Sequence, residues 1–190
     1  MPGPVFLESD RVTLRPIERD DLAFLQRAMN APDVWRPALD IDPMNREQAA
    51  EFFETVVSET DGGVHCLVCT DGDPLGVVTL SASRYGPDET ARSRAAELAY
   101  WLAPEHHGQG YGSDAVSRLL RYAFEDRNLR RVSARVGSFN DASVGLLERL
   151  GFEREGRLRD AAWYRGDYHD MYWYGLLREE WRKTSDVCER

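Results

Sequence analysis

The chain has 190 residues, 42% of them hydrophobic, and no apolar run near the length of about 18 residues that a membrane span needs. We therefore expect one globular, cytoplasmic domain with a real core and no membrane segment; the first ten residues also lack the basic and apolar regions of a secretory signal. The formal net charge is −9 and no basic stripe is present, which argues against nucleic-acid binding.

The predicted elements of the first half are strands and helices separated by loops and one tight turn. In chain order they are a strand at 11–17, a helix at 22–29 capped by Asp20 or Asp21, a proline-punctuated loop at 31–40, a helix at 45–60, two strands within 62–83 joined by a turn at 71–73, and a polar loop at 84–94. The strands are indicated by alternating apolar residues and the helices by apolar residues three or four positions apart.

The second half alternates strands and helices before two final strands. In chain order it contains a strand at 95–103, a glycine-rich stretch, a helix at 113–126, a strand at 130–137, a helix at 140–151 that ends at a left-handed Gly151, two strands within 152–177, and a charged tail at about 178–190. This order favours a mixed α+β sheet within a single domain over 1–190, rather than a purely parallel sheet.

The cysteines are Cys66, Cys69 and Cys188. A C-x-x-C spacing occurs in redox and zinc sites. However, "VHCLVCT" is typical of a strand, on which positions three apart face opposite sides, and no second cysteine pair completes a zinc site. We therefore predict buried thiols and no metal site.

Three glycines at alternate positions, Gly108, Gly110 and Gly112, lie in "LAPEHHGQGYGSDA" between a predicted strand and a predicted helix. The first N–H groups of a helix lack intrahelical partners and carry the positive end of the helix dipole. Glycines before them let a phosphate approach the backbone, which predicts a pyrophosphate site leading into the helix at Ser113. A flexible connection is the alternative. The G-x-G-x-G spacing, with no acid about 20 positions on, excludes a dinucleotide site.

Two further positions carry polar side chains beside this stretch. Glu97 lies in the otherwise apolar strand before the glycines, where a carboxylate is costly unless it is paired or used. Asn140 and Ser143 follow the next predicted strand, in "NDASVGLLERLGF".

Four segments together resemble the GNAT superfamily of acyl-CoA-dependent N-acetyltransferases, and within it the RimJ/RimL-type branch that acetylates protein N-termini. They are "ESDRVTLRP", "AELAYWLAPEHHGQGYGSDA", "NDASVGLLERLGF" and "YHDMYWYGLLREEW", in the family's order over nearly the whole chain. The resemblance implies a mixed, mostly antiparallel central sheet that is flanked by helices and splayed at the acyl-CoA site. It also implies transfer of an acetyl group from acetyl-CoA to a primary amine by direct attack in a ternary complex.

The resemblance also implies where acetyl-CoA binds. The backbone of the strand before the glycines would bind the pantetheine arm as an added strand does, and the glycine loop would hold the pyrophosphate. The cofactor-binding residues on this basis are Trp101, Leu102, Ala103, His107, Gly108, Gln109, Gly110, Tyr111, Gly112, Ser113, Asn140 and Ser143. Asn140 is also a favourable helix cap, and both roles are compatible.

For catalysis, the resemblance implies that Glu97 is the general base, directly or through water; a structural carboxylate is the alternative. A backbone N–H near Leu102 would stabilise the oxyanion, and Ser143 would lie near the sulfur. Many relatives carry a tyrosine acid four residues before the glycine of L-G-F, where this chain has Leu147. The thiolate would then leave unprotonated or with the help of Ser143 or water, and Tyr100 and Tyr111 are weaker substitutes.

A second departure concerns the head of the glycine motif. The family often has Gln or Arg where this chain has His107. Histidine can donate to a phosphate, but it is charged only part of the time near neutral pH.

The acceptor is the least defined part of the prediction. Loop positions Trp35, Arg36, Arg84 and Tyr85 are candidates to line its site, since loops on a rigid scaffold commonly carry specificity. We expect a protein N-terminal amine; a small-molecule or antibiotic amine, a non-catalytic acyl-CoA sensor and another acyl group are the alternatives. An acidic surface would attract a cationic amine or merely aid solubility. A homodimer is plausible by resemblance alone.

The late strand offers one more candidate surface. Asp170, Tyr172 and Tyr174 alternate onto one face of it, which would either line the acceptor cleft or pack on a helix.

Overall fold

The computed structural model describes residues 3–39, 42–58, 63–82 and 94–188. The chain forms two compact units. The first consists of Met1–Ser81 and Tyr100–Leu119, and the second of Ala82–Ala99 and Leu120–Arg190. The assignment of one acyltransferase domain to 1–190 stays a prediction. Among the described residues, no helix is both long and apolar enough to cross a bilayer.

The strands of the first unit pair antiparallel, each with the next. They are β1 (Leu7–Glu8), β2 (Thr13–Pro16), β3 (Val64–Thr70) and β4 (Asp73–Ala82). The turn between β3 and β4 is confirmed: Asp71 and Gly72 have φ values of 49° and 88°, as a two-residue hairpin turn requires. The short β1 was not predicted, because two residues are too few to show an alternating pattern.

Three helices pack in the first unit. They are α1 (Leu22–Met29), preceded by a 3-10 turn at Arg19–Asp21, α2 (Pro32–Ala38), and α3 (Arg46–Phe52), which continues as a π-helical turn at Phe53–Ser58. The predicted bounds of α1 are confirmed, and Asp21 accepts a hydrogen bond from the Glu18 N–H at 2.8 Å. Ile17, Leu25 and Leu67 are the centre of the core beneath these helices.

The prediction of a proline-punctuated loop at 31–40 was wrong, since α2 occupies most of it. Pro32 is at the first helical position, where a missing N–H costs no hydrogen bond. Val34 and Trp35 donate their N–H groups to the Ala31 carbonyl at 2.9 and 3.0 Å, and Val34 is buried. Leu39, at φ 60°, ends the helix.

The strands of the second unit are mostly antiparallel. They are β5 (Ala95–Leu102), whose last residues belong to the first unit, β6 (Arg131–Gly137), β7 (Glu153–Tyr164) and β8 (Asp167–Leu177). β8 pairs antiparallel with both β6 and β7. The parallel pairing of β5 with β6 covers only Ala95–Glu97 and Arg131–Ser133, while both strands continue beyond it, as expected for a splayed pair.

Two further helices match their predictions closely. α4 (Tyr111–Arg121) continues as a π-helical turn at Tyr122–Asp126, and it begins two residues before the predicted start. Its predicted apolar stripe is confirmed, because all of its members are at most 1% exposed: Val116, Leu119, Leu120 and Ala123. α5 (Asp141–Arg149) is followed by Gly151 at φ 87°, which confirms the left-handed cap.

The predicted charged tail is wrong as far as residue 188, because Arg178–Cys188 forms helix α6. The Glu180 carboxylate accepts a hydrogen bond from the Leu177 N–H at 2.8 Å and so caps the start of α6. The Trp181 ring stacks on the fully buried Phe124 with centroids 5.3 Å apart. Trp181 thus packs a mostly polar helix against the core, and the Glu179 carboxylate adds an ion pair with Arg130 at 2.8 Å.

Gly76 of β4 provides a test of close backbone packing. A Cβ there would clash with the Trp101 carbonyl oxygen and lie 2.7 Å from the Leu102 Cα. We expect Gly76→Ala to lower the free energy of unfolding by about 2 kcal/mol, because backbone atoms must shift. Gly156→Ala is the control, since its Cβ would meet the Trp173 Cβ at an ordinary 3.7 Å. Equal stability of the two variants in urea unfolding would contradict this packing.

Candidate functional site

The glycine loop lies between β5 and α4 and follows a 3-10 turn at Pro104–His106. Gly108 and Gly110 have φ values of 72° and 85°, in the left-handed region that favours glycine. Gly112 lies within the first turn of α4, because the helix begins at Tyr111. The loop therefore leads directly into a helix start, as the pyrophosphate hypothesis requires.

Arg11, between β1 and β2, contacts this loop. Its Nη1 donates to the Gln109 carbonyl at 2.6 Å, and its guanidinium carbon lies 6.0 Å from the centre of the Tyr111 ring. A Cβ at Gly110 would lie 2.6 Å from Arg11 Nη1. Sequence reasoning assigned Arg11 only to a strand, although it lies in the "ESDRVTLRP" segment that carried part of the resemblance.

Asp114, in the first turn of α4, links the helix start to the segment between β1 and β2. Its Oδ2 accepts hydrogen bonds from the Ser9 hydroxyl at 2.5 Å and from the Arg11 N–H at 3.1 Å. A negative charge near a helix N-terminus is also favoured by the helix dipole. The start of α4 is therefore fixed by side-chain contacts, and no feature of the sequence alone pointed to Asp114.

The polar side chains of the loop bind backbone that precedes it. His107 Nε2 lies 2.9 Å from the Leu102 carbonyl, and Gln109 Nε2 donates to the Glu105 carbonyl at 3.0 Å. These contacts curl the loop back onto the end of β5. His107 and Gln109 thus stabilise the loop conformation through contacts within the protein.

The end of β5 packs against β4 and the helices of the first unit. The Trp101 ring stacks on Phe24 with centroids 5.9 Å apart and adjoins the core. The Ala103 N–H donates to the Leu75 carbonyl at 2.8 Å, so it is engaged within the protein. In this segment the Leu102 carbonyl is also engaged, by His107.

Glu97 is ion-paired in the second unit. Its Oε1 lies 2.6 Å from Arg135 Nε on β6, and the side chains are 18% and 45% exposed. The pair lies where the parallel ladder ends, since Glu97 is opposite Ser133. A carboxylate in an apolar strand is unfavourable in free energy unless it is paired, and the Arg135 guanidinium provides that pairing through one of the two Glu97 oxygens.

Asn140 and Ser143 lie together at the start of α5. The Asn140 Oδ1 accepts a hydrogen bond from the Ser143 N–H at 3.1 Å, so Asn140 caps the helix. One turn further, Leu147 is 1% exposed. The position at which many relatives carry a tyrosine is therefore part of the hydrophobic core.

The predicted acceptor residues fall into two groups. Trp35 and Arg36 lie half-buried on α2, with the Arg36 guanidinium 5.1 Å from the centre of the Trp35 indole. Arg84 and Tyr85 lie outside the described residues. The Trp35–Arg36 contact is a cation–π pair that is complete without a ligand.

The face of β8 that carries Tyr174 packs on α5. The Tyr174 ring is buried, and its hydroxyl donates to Glu148 Oε1 at 2.9 Å. Burial, together with this hydrogen bond, raises the pKa of Tyr174. Asp170 is ion-paired with Arg157 at 2.5 Å. The packing alternative is therefore correct for Tyr174, and it cannot act as a proton donor from this position.

The prediction of buried thiols is confirmed for Cys66 and Cys69, which are 2% and 0% exposed. Burial raises the pKa of Cys66 to about 12 and that of Cys69 to about 11. Within the described ranges, no group of three or more His, Cys, Asp or Glu side chains is placed to hold a metal ion.

Comparison with known proteins identifies the class. The profile of the family described as "Acetyltransferase (GNAT) domain" matches residues 11–153. "Putative ribosomal N-acetyltransferase YdaF" of Bacillus subtilis is 32% identical over 143 residues, which are 72% of this chain and 75% of that protein. Spermidine N(1)-acetyltransferase of Vibrio cholerae is 25% identical over 178 residues, which are 94% and 99% of the two chains.

A solved structure shares the fold. The crystal structure of spermidine N-acetyltransferase from Vibrio cholerae, in complex with CoA and spermine, covers 90% of this chain and 98% of its own, with a TM-score of 0.80 and 25% identity. The fold and the matched profile define an N-acetyltransferase with a mixed α+β architecture. The chain belongs to the GNAT acetyltransferase family, and its cosubstrate is acetyl-CoA.

The residues present fit that cosubstrate. The left-handed Gly108 has no heavy atom within 4 Å of a Cβ built on it, and the Arg11 guanidinium lies beside Gly110, so exposed backbone and positive charge are both available to phosphate. The RimJ/RimL branch is a finer assignment that the relatives do not establish, because both a ribosomal-type and a spermidine-type acetyltransferase are among them.

Gly110→Asp tests the pyrophosphate assignment. The new side chain would add bulk beside Arg11 and like charge where phosphate docks, so we expect acetyl-CoA affinity to fall by about 100-fold or more. Gly72→Asp is a matched control, because φ is 88° there and no heavy atom lies within 4 Å of its Cβ. Calorimetric affinity that falls equally in both variants, or in neither, would contradict the assignment.

Proposed function

We propose that this chain acetylates a primary amine of low pKa, foremost the N-terminal α-amine of a protein. The observation that carries the proposal is the pairing of Glu97 with Arg135, since the guanidinium holds one carboxylate oxygen and leaves the other to take a proton. Leu147, which is 1% exposed at the position of the acid in many relatives, has no proton to give to the departing thiolate. Such a site suits an acceptor that is already partly neutral.

The pKa of the acceptor decides how much assistance is needed. An α-amine has a pKa of about 7.7–8.0 and a lysine-type amine about 10.4, so about a third of the former and about one in a thousand of the latter are neutral at pH 7.5. Only the neutral amine attacks the thioester. An α-amine therefore requires far less of a general base than an alkylamine does.

The roles that we assign to the residues follow from this chemistry. Acetyl-CoA supplies the thioester that the amine attacks. The loop from His107 to Ser113 would hold its pyrophosphate, and the backbone of Trp101 and Leu102 its pantetheine arm, with the Leu102 N–H facing the oxyanion. Glu97 would take the proton of the attacking amine, directly or through water, while Arg135 holds its other oxygen.

The remaining predicted residues complete the proposal. Asn140 would contact the arm while it caps α5, and Ser143 would lie near the sulfur. Ser143 or water would then protonate the thiolate. Leu147 has no proton to donate, and the Tyr174 hydroxyl is buried and donates to Glu148.

A small polyamine is the second candidate acceptor. It is favoured by the likeness to the spermidine acetyltransferase of Vibrio cholerae, which covers 98% of that chain at a TM-score of 0.80. The negative charge of this chain, −9, is also compatible with a cationic acceptor.

Release of CoA thiol from acetyl-CoA distinguishes these acceptors. We expect turnover with peptides that have free N-termini, none with the same peptides blocked at the N-terminus, and weaker turnover with spermidine. Lysine side chains in the blocked peptides are the internal control for alkylamines. Turnover confined to spermidine and related amines would replace the N-terminal proposal with the polyamine one.

Glu97→Gln tests the assignment of the base. We expect kcat/KM for the peptide to fall by about 100-fold and the rise of rate with pH to flatten, with acetyl-CoA affinity unchanged. Glu155→Gln is the control, because it removes a comparable ion pair, 2.5 Å from Arg131, elsewhere in the second unit. An unchanged pH profile in Glu97→Gln would make Glu97 a purely structural residue.

A further inference from the structure

Arg11 brings a full positive charge to the glycine loop, through its contacts with the Gln109 carbonyl and the Tyr111 ring. It lies outside the G-x-G-x-G motif, 98 residues earlier in the chain than Gln109. The position is exposed, so its guanidinium is open to a ligand as well as to the loop.

The hydrogen bonding of Arg11 is unsaturated in the described part of the chain. A guanidinium has five N–H donors in a fixed fork, and here one of them, on Nη1, donates to the Gln109 carbonyl. The guanidinium lies against Gly110, where a Cβ would come within 2.6 Å of Nη1, so the left-handed glycine is what lets Arg11 approach the loop. Fork geometry of this kind matches phosphate oxygens.

The backbone of Arg11 is fixed independently of its side chain. Its N–H donates to Asp114 Oδ2, which also accepts from the Ser9 hydroxyl. The Asp114 carboxylate would repel a phosphate at the same helix start unless its charge were offset. The hydrogen bonds from the Ser9 hydroxyl and the Arg11 N–H stabilise that charge, and the Arg11 guanidinium brings an opposite charge to the loop.

We propose that Arg11 is a cofactor-binding residue whose guanidinium contacts the pyrophosphate of acetyl-CoA from outside the glycine motif. The inference rests on the proposed pyrophosphate site and adds a cation to it. In a protein with a net charge of −9, a local cation is needed to offset repulsion of a polyanionic cosubstrate.

Arg11→Gln is the test, with Arg19→Gln as the matched control. Arg19 is an exposed arginine of the same unit that pairs with Glu54, so its substitution removes the same charge away from the loop. We expect Arg11→Gln to weaken calorimetric acetyl-CoA binding by about 10- to 100-fold and Arg19→Gln to leave it unchanged. Arg11→Lys should recover part of the loss, because it restores charge without the fork.

Truncated ligands distinguish a direct contact between Arg11 and the pyrophosphate from a role of Arg11 in stabilising the loop alone. Acetyl-pantetheine lacks the pyrophosphate, so its kcat/KM should be the same in wild type and Arg11→Gln. Dephospho-CoA retains the pyrophosphate, so its affinity should fall by the same factor as that of CoA. The affinity of Arg11→Gln for acetyl-CoA should also depend less steeply on salt than that of wild type.

Three results would overturn the inference. They are unchanged acetyl-CoA affinity in Arg11→Gln, an equal loss with acetyl-pantetheine, and a loss that disappears with dephospho-CoA, which would move the contact to the 3′-phosphate. Failure of the proposed pyrophosphate site is distinguishable, because Gly110→Asp would then bind acetyl-CoA as wild type does. Failure of the acceptor proposal leaves the binding measurements unaffected.

Discussion

A helix that offers its first N–H groups to a phosphate must leave those groups without protein partners, so its start has to be held by other means. In this protein the Asp114 side chain holds the helix start, because its carboxylate accepts hydrogen bonds from the Ser9 hydroxyl and the Arg11 N–H. Gly108 can then keep its left-handed backbone uncovered, with no heavy atom within 4 Å of a Cβ built on it. The proposed pyrophosphate site depends on both features, a helix start that side chains hold and a glycine backbone that they leave exposed.

The second unit sets a different constraint, on proton transfer. Pairing Glu97 with Arg135 makes a charged residue tolerable in an apolar strand, and it also occupies one carboxylate oxygen. Leu147 fills the core where an acid would otherwise stand. In the proposed reaction, Glu97 keeps one oxygen for the amine proton and Leu147 gives none to the thiolate, which favours an acceptor that is already partly neutral.

Sequence reasoning was strongest where a local motif fixes backbone geometry. The left-handed glycines and the α5 cap at Asn140 follow from residue types whose conformational preferences are short-range. It failed for α2, because Pro32 suggested a loop although proline is favourable at the first helical position. It also failed for α6, because the many charged residues suggested an unstructured tail although Trp181 packs on Phe124. Both errors arose because a tertiary contact or a cap outweighed composition.

Arg11 and Asp114 were missed for another reason, since their partners are about a hundred residues away in sequence and no periodicity reveals such a contact. The acceptor positions Arg84 and Tyr85 lie outside the described residues. The cytoplasmic location and the homodimer stay predictions.

The buried cysteines have a consequence for an enzyme that handles thiols. Acetyl-CoA is a thioester, and a reactive cysteine thiolate would attack it, take the acetyl group and release CoA as the thiolate. With pKa values of about 12 and about 11, Cys66 and Cys69 stay protonated at neutral pH, and neither is accessible. The core of the first unit can therefore hold two sulfur atoms that do not capture the acetyl group.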